Sequence, residues 1–250
     1  MSKVVFLLHL HKVSIFDQLK IEEALLRANE DNWCVINEGS EPAIVMGISG
    51  NPKKLIDLQK FHAAPLPIIK RFSGGGAVIV DKATLFVSFI FQQRMHEFPC
   101  YPEPIFRWSE EFYREALSIP QFHLRENDYV IDKCKCGGNA QYIKKHRFVH
   151  HSTFLWDYKK QHMDYLLYPP QVPTYRGTRA HSTFLCRLNS FFSSKNHFVS
   201  CIKKTLSSKY TVCETSFKEI SPILQIPHRR VTSLIDIMEL LCAKSIKTDH

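Results

Sequence analysis

Apolar and polar positions follow one another in short blocks whose period changes often along the chain. Val4 to Leu10, interrupted by His9, reads as a strand. Ile15, Leu19 and Leu26 share one face at helical spacing, which predicts a helix over Ile15–Ala28 with Glu22 and Glu23 near its middle. WCVINEG (33–39) and AIVMG (43–47) are apolar runs around a turn-like Gly-Ser-Glu-Pro and suggest two paired strands. KKLIDLQKF reads as a short helix, and PIIKRF, AVIVD and LFVSFI as adjacent buried strands around a cluster of glycines. Phe106, Tyr113 and Leu117 mark a helix within 102–117, and DYVID, GGNAQYI and RFVHHSTFLW a strand-rich block. A Pro-rich connector (168–179) follows, and Val231, Leu234, Ile235, Met238 and Leu241 mark one face of a terminal helix. These blocks predict a single α/β domain over residues 1–250. Its sheet is expected to be mixed and largely antiparallel, flanked by helices, with a helical part from about 187 onward.

Composition narrows the class. A chain of 250 residues with 44% hydrophobic and 23% charged residues can bury a core of ordinary size. The net charge of +9 points toward an acidic partner. The basic residues are dispersed, with no run of five, so nucleic acid is not the expected one. No segment is long and apolar enough to predict a membrane helix. Eight cysteines without a CxxC pair, in a chain too long to need staples, fit reduced thiols and a cytoplasmic setting. The N-terminal run carries neither a signal-peptide cleavage pattern nor an Arg- and Ser-rich transit pattern.

Candidate chemistry gathers on two glycine-rich stretches. RFSGGGAVIVD (71–81) sets three glycines between apolar runs, either as a tight hairpin or as backbone that a ligand can approach closely. It lacks the spacing of a dinucleotide fingerprint and the Lys-Ser/Thr of a Walker loop. Arg71 and Ser73 add a cation and a hydroxyl beside the exposed amides, a set suited to a carboxylate or phosphate. KCGGNAQ (135–141) puts Lys135 two positions before a second pair of glycines. Asn127 and Asp128 lie just upstream, as a turn cap or with Asp128 as a Mg²⁺ ligand beside an anion. His150, His151 and Asp157 invite a metal reading, but adjacent residues on a strand face opposite ways. Cys134 and Cys136 flank Lys135 and read as core or incidental.

Together these stretches resemble the lipoate–protein ligase A family of the biotin and lipoate ligase superfamily. IEEALLR (21–27) resembles the family's early acidic helix, and PAIVMGISGNP (42–52) its P-x-V-V-I-G-x-x-x-N segment. RFSGGGAVIVD resembles R-R-x-S-G-G-G-A-V-x-H-D, and RENDYVI resembles the R-N-D block. KCGGNAQ is similar to K-x-x-G-x-A, and VHHSTFLWD to H-H-x-T-x-L. The resemblance implies a two-step reaction: lipoate and ATP with Mg²⁺ give lipoyl-AMP, whose acyl group passes to a lysine of an acceptor. Lys135 would be the catalytic charge stabiliser. Arg71, Ser73, Gly74, Gly75, Gly76, Ala77, Val78, Gly138, Asn139, Ala140 and His151 would bind substrate and adenylate, and Asp128 the metal. Implied partners are the apo lipoyl domains of 2-oxoacid dehydrogenase complexes or the glycine cleavage H-protein.

The departures are specific. Val80 stands where the family has His, Lys70 replaces the first Arg, and 83–89 lacks the family's asparagines. The resemblance covers a catalytic domain without the small C-terminal accessory domain. It therefore allows either a separate accessory subunit or transfer from preformed lipoyl-AMP. An octanoyl or lipoyl transferase with a cysteine nucleophile is the competing enzyme class, with Cys186 and Cys100 as remote candidates. A non-catalytic lipoyl-domain-binding module is the competing non-enzyme.

Overall fold

The computed structural model describes residues 3–167 and 173–236. The chain runs β1 (Val4–His11), α1 (Ile15–Ala28), β2 (Trp33–Glu38), β3 (Ala43–Met46), α2 (Pro52–Leu55), α3 (Leu58–Ala63), β4 (Ile68–Lys70), β5 (Ala77–Val80) and β6 (Thr84–Gln92). It continues through α4 (Pro102–Leu117), β7 (Phe122–Arg125), β8 (Asp128–Ile131), β9 (Cys134–Lys144), β10 (Arg147–Leu155), α5 (Lys160–Met163) and α6 (His181–Phe184). Last come α7 (Lys195–Lys209), β11 (Thr211–Thr215), α8 (Phe217–Gln225) and β12 (Ser233–Leu234). The strands form an eight-stranded sheet, β11-β1-β2-β6-β10-β9-β8-β7, and a four-stranded sheet, β12-β4-β3-β5. In the larger sheet all pairings are antiparallel except β11–β1 and β1–β2, so the α/β class with a mixed, largely antiparallel sheet holds.

Both faces of the large sheet are covered, and β6 is buried at every position. On one face Val5, Ile36, Phe89 and Phe148 pack against Phe112 of α4 and Ile202 of α7. On the other, Leu8, Val35 and Phe86 meet Leu19 and Leu25 of α1 and the inner face of the small sheet through Val45 and Ile69. Helix α1 begins at Ser14, whose hydroxyl accepts from the Asp17 amide, and carries Arg27 in its last turn. Glu22 and Glu23 are both buried in it. The Glu23 carboxylate accepts from the amides of Val231 (3.0 Å) and Thr232 (3.0 Å) and from Arg27 Nε (3.0 Å), tying the C-terminal strand to α1.

The structure corrects several expectations. β2 and β3 do not pair: β2 lies between β1 and β6, and β3 between β4 and β5. Gly39, with φ of +89°, takes the chain from one sheet to the other. PIIKRF and AVIVD lie either side of β3, and LFVSFI belongs to the other sheet. KKLIDLQKF is two helical turns broken at Ile56–Asp57, the second capped by the Asp57 carboxylate. The helical C-terminal part also holds β11, which pairs in parallel with β1. Val231 lies outside any helix and Leu234 in a strand, because Glu23 takes the amides of Val231 and Thr232 and β12 pairs with β4. Met238, Leu241 and residues 168–172 lie outside the described residues, while 174–176 form a short 3₁₀ turn.

Two histidines in the aromatic layers make stability depend on pH. Burial pushes His150 down to about 3 and His96 to about 4, from an ordinary 6.5. Both stay neutral in the folded chain at pH values that would protonate them in the unfolded chain. Their contribution is therefore complete above 6.5 and is lost as pH falls toward 4, at up to about 1.4 kcal/mol per pH unit for each. Urea midpoints should fall steeply between pH 6.5 and 4.5, and less steeply in His150→Asn. Equal slopes in the two proteins would contradict this.

Candidate active site

The segment Ser73–Gly76 links β4 to β5, and β3 lies between them, so the loop crosses the end of β3 and is not a hairpin. Gly47 and Ile48, just past β3, donate to the carbonyls of Gly76 (3.2 Å) and Ser73 (3.0 Å). Arg71 holds the loop from beneath. Its guanidinium donates to the carbonyls of Gly74 (2.7 Å) and Gly76 (3.1 Å) and is 5% exposed, and burial lowers its pKa to about 10. These donors go to carbonyls of the loop itself, while the side chain also lines the inner cavity. Gly75 needs to be glycine, because φ is +104° and a Cβ would stand 2.6 Å from Arg71 Nη2. Around Gly74 and Gly76 a Cβ would meet no heavy atom within 4 Å, so both expose backbone to open space.

Lys135 is aimed by a β-bulge. Ile131 pairs with Cys134 and Val130 with Lys135, then Tyr129 with Gly137, which leaves Cys136 as the extra residue. The Lys135 ammonium sits 2.7 Å from Asp128 Oδ1, and the Tyr175 hydroxyl donates to Asp128 Oδ2 at 2.9 Å. Burial and the Asp128 charge raise the Tyr175 pKa, so it stays a donor. A Cβ on Gly138 would touch Lys135 Nζ at 3.4 Å, so the glycine leaves the lysine room to lie across it.

Two adjoining cavities meet here. The larger, about 900 Å³ including space open to solvent, is lined by Ala77, Asp128, Lys135, Arg176, Phe184 and Leu185 among others. The smaller, about 340 Å³, is lined by Val45, Arg71, Phe86, Asn139, Ala140 and His151 among others. Val78, Gly138 and Thr153 line both, so the two are ends of one slot. At the inner end His151 Nδ1 lies 3.0 Å from the Glu22 carboxylate and 2.8 Å from Ser88 Oγ, deep between α1 and the sheet. Asn139 is fixed by Ser152 Oγ (2.8 Å) and the Asn127 carbonyl (3.2 Å).

Most of the expected residues are thus brought together. Lys135, Asp128 and Ala77 line the outer cavity, Arg71, Asn139, Ala140 and His151 the inner one, and Val78 and Gly138 their junction. Ser73 and Gly74–Gly76 form the loop beside them. His150 points to the opposite face, toward Tyr129 and Gln141, and Asp157 pairs with Arg187, so the three do not gather on a metal. Glu22, Thr153, Tyr175, Arg176 and Phe184 were not foreseen. The signal for Tyr175 and Arg176 was the aromatic and basic content of the connector, whose role depends on its folding back toward Asp128 and Lys135, while Phe184 lies beyond it in α6. Cys186 also comes near: its amide donates to the Lys135 carbonyl at 2.9 Å. A hydrogen bond from Cys136 lowers the Cys186 pKa, yet its thiol points at the Cys134 carbonyl (3.4 Å). Cys100 is buried in the core, which raises its pKa.

The family model of the lipoyl protein ligase A/B catalytic domain matches residues 14–211. The chain belongs to that family. Among lipoyl ligase relatives, it is 28% identical to inactive lipoate–protein ligase 2 of Plasmodium falciparum, over 73% of this chain and 62% of that protein. It is 31% identical to lipoate-protein ligase LplJ of Bacillus subtilis, over 50% of this chain and 37% of that one. The chain therefore spans less than two thirds of the length of either relative. Its fold is shared with a bipartite lipoate protein ligase of Thermoplasma acidophilum, from a study with its E2 lipoyl domain (TM-score 0.72, 17% identity, 90% and 91% of the two chains). It is likewise shared with a lipoate-protein ligase A bound with ATP (TM-score 0.71, 16% identity, 90% and 92%). Homologues thus support a ligase or transferase class for the lipoyl ligase domain described here.

Proposed function

We propose that this chain attaches lipoate to a lysine of an acceptor lipoyl domain through lipoyl-AMP. The observation that carries the reading is the placement of the Lys135 ammonium on a two-part slot, beside glycine backbone that faces open space. A carboxylate oxygen of lipoate attacks the α-phosphorus of ATP, and the bond to pyrophosphate breaks. The acceptor amine then attacks the acyl carbon, an amide forms, and AMP leaves as the amine sheds a proton. Negative charge builds on the reacting oxygens in both steps, and a cation already in place stabilises it. The apolar inner cavity, ending at Phe86 and His151, suits the acyl tail, and the outer one suits the nucleotide. Glu22 and Ser88 would hold the His151 ring in place.

ATP and lipoate are ligands of solved relatives of this fold, which supports the same pair here. Asp128 would supply one carboxylate to Mg²⁺, which also takes phosphate oxygens and water. To do so it would share or release the oxygens now held by Lys135 and Tyr175. Arg176 lines the same cavity and would face the phosphates. Apo lipoyl domains of 2-oxoacid dehydrogenase complexes, or the glycine cleavage H-protein, are the proposed acceptors, and an acidic acceptor surface suits a charge of +9.

A second reading, transfer from lipoyl-AMP made elsewhere or with an accessory subunit, is favoured by the relative named an inactive ligase. Intact mass of an apo lipoyl domain separates the two. The purified chain is given lipoate with ATP and Mg²⁺, synthetic lipoyl-AMP, or octanoyl-acyl carrier protein in separate reactions. Modification in the first two reactions is expected. Modification by lipoyl-AMP alone would replace the ligase with a transferase. Modification by the carrier protein alone, lost in Cys186→Ser, would replace both with a thioester mechanism.

A further inference from the structure

Away from the slot, β1 and β2 end in three ligand-bearing side chains that neither cavity uses. His9 and His11 are two apart on β1 and so share a face, the one that carries Val5 and Leu7 into the core. Glu38 of β2 pairs in register with His11 and lies on the same face as Ile36. The face changes from apolar core to ligand set within two residues on each strand. His9 Nε2 lies 2.9 Å from Glu38 Oε1, and His11 Nδ1 lies 3.3 Å from that same oxygen. One ligand atom from each of the three residues falls within 4.8 Å of the others. Among the described residues, this is the one such group of three or more.

These separations suit a tetrahedral ion. With ligand bonds of about 2.0–2.1 Å, donor atoms around zinc stand roughly 3.3–3.4 Å apart. The two measured edges are within a few tenths of an ångström of that. His9 and Glu38 are largely buried, whereas the His11 side chain is 66% exposed and leaves one side open to water. The nearby cations are engaged elsewhere: Lys203 with Glu214 at 3.0 Å and Lys195 with the Lys82 carbonyl at 2.6 Å.

We propose that His9, His11 and Glu38 form a binding site for a divalent cation of the zinc class, with two imidazoles, one carboxylate and an open fourth position. Softer, sulfur-seeking ions find no thiolate here, and Mg²⁺ or Ca²⁺ would find one oxygen donor where they need several. A bound ion clips the ends of β1 and β2 together just before Gly39, where the chain crosses to the smaller sheet.

The test uses untagged full-length protein, stripped with a chelator and titrated with Co²⁺. One equivalent should bind and give the visible absorption of tetrahedral cobalt, without the near-ultraviolet bands of thiolate ligation. Zn²⁺ should displace it. The double variant His9→Gln/His11→Gln should lose the band, and Glu38→Gln should bind more than about tenfold more weakly. The metal-free variants should melt like the metal-free parent, and added Zn²⁺ should raise the melting temperature of the parent alone. No binding by the parent, thiolate bands, or an unchanged affinity in the double variant would each overturn the site. None of these readouts depends on lipoate transfer.

Discussion

Lys135→Ala should leave a folded protein whose lipoate transfer is lower by about 10²–10³-fold, the usual cost of removing one preorganised charge-stabilising group. The fold should survive because the lysine is not part of a packed core. Its side chain is 23% exposed, and its pairing with Asp128 is replaceable by water. The remaining carboxylate keeps the Tyr175 hydroxyl as a donor, so no fully buried charge is stranded. The loss should show with lipoate and ATP and also with synthetic lipoyl-AMP, since oxygen charge builds in both steps. Lys135→Arg keeps the charge but spreads it over a wider planar group, so it should fold and transfer poorly. The measurement is single-turnover transfer to an apo lipoyl domain, with circular dichroism on each variant. Normal transfer by folded Lys135→Ala would remove the mechanism. A defect confined to lipoate and ATP would restrict the lysine to the first step.

The elements that could be read from the sequence were those with a strong internal period or a capping residue. Helix α1 has Ser14 at its start and apolar positions through Leu26, and its bounds match the structure. Strands β8 to β10 follow one another through short turns, so local pattern and pairing agree. What pattern cannot supply is which strand lies beside which. The Gly39–Pro42 segment resembles a hairpin turn, yet both edges of β2 are taken by distant strands. Val231, Leu234 and Ile235 keep helical spacing, but a buried carboxylate 208 residues away settles their backbone. The site shows the same division. Its glycines and lysine were legible because few other residue types allow such close approach. Arg71 shows the limit of local reading: it lines the inner cavity, but only the fold reveals that its guanidinium also holds the loop's own carbonyls. The Glu22 support of His151 arises between a helix and a strand 129 residues apart, and no local spacing records it.

That division can be tested on the glycines, because two of them serve the loop for different reasons. A Cβ on Gly47 would stand 2.1 Å from the Gly75 carbonyl oxygen, which is backbone and cannot rotate aside. Gly47→Ala should therefore push the Ser73–Gly76 loop outward by about 1 Å, a displacement that can cost roughly 10²-fold in rate. It should also cost about 1–3 kcal/mol, as overpacking does. Gly74→Ala differs, because a Cβ there meets nothing within 4 Å and the backbone is not left-handed. The folded chain should tolerate it, or gain up to about 1 kcal/mol from a less flexible unfolded state. If a ligand lies against that backbone, transfer should nevertheless fall about as far as in Gly47→Ala. Thermal melts and single-turnover transfer on both variants decide the matter. Loss of transfer with an unchanged or higher melting temperature in Gly74→Ala means that the open space is the ligand's place. Full transfer by Gly74→Ala would mean that the ligand lies elsewhere and that these glycines serve only to let the loop cross β3.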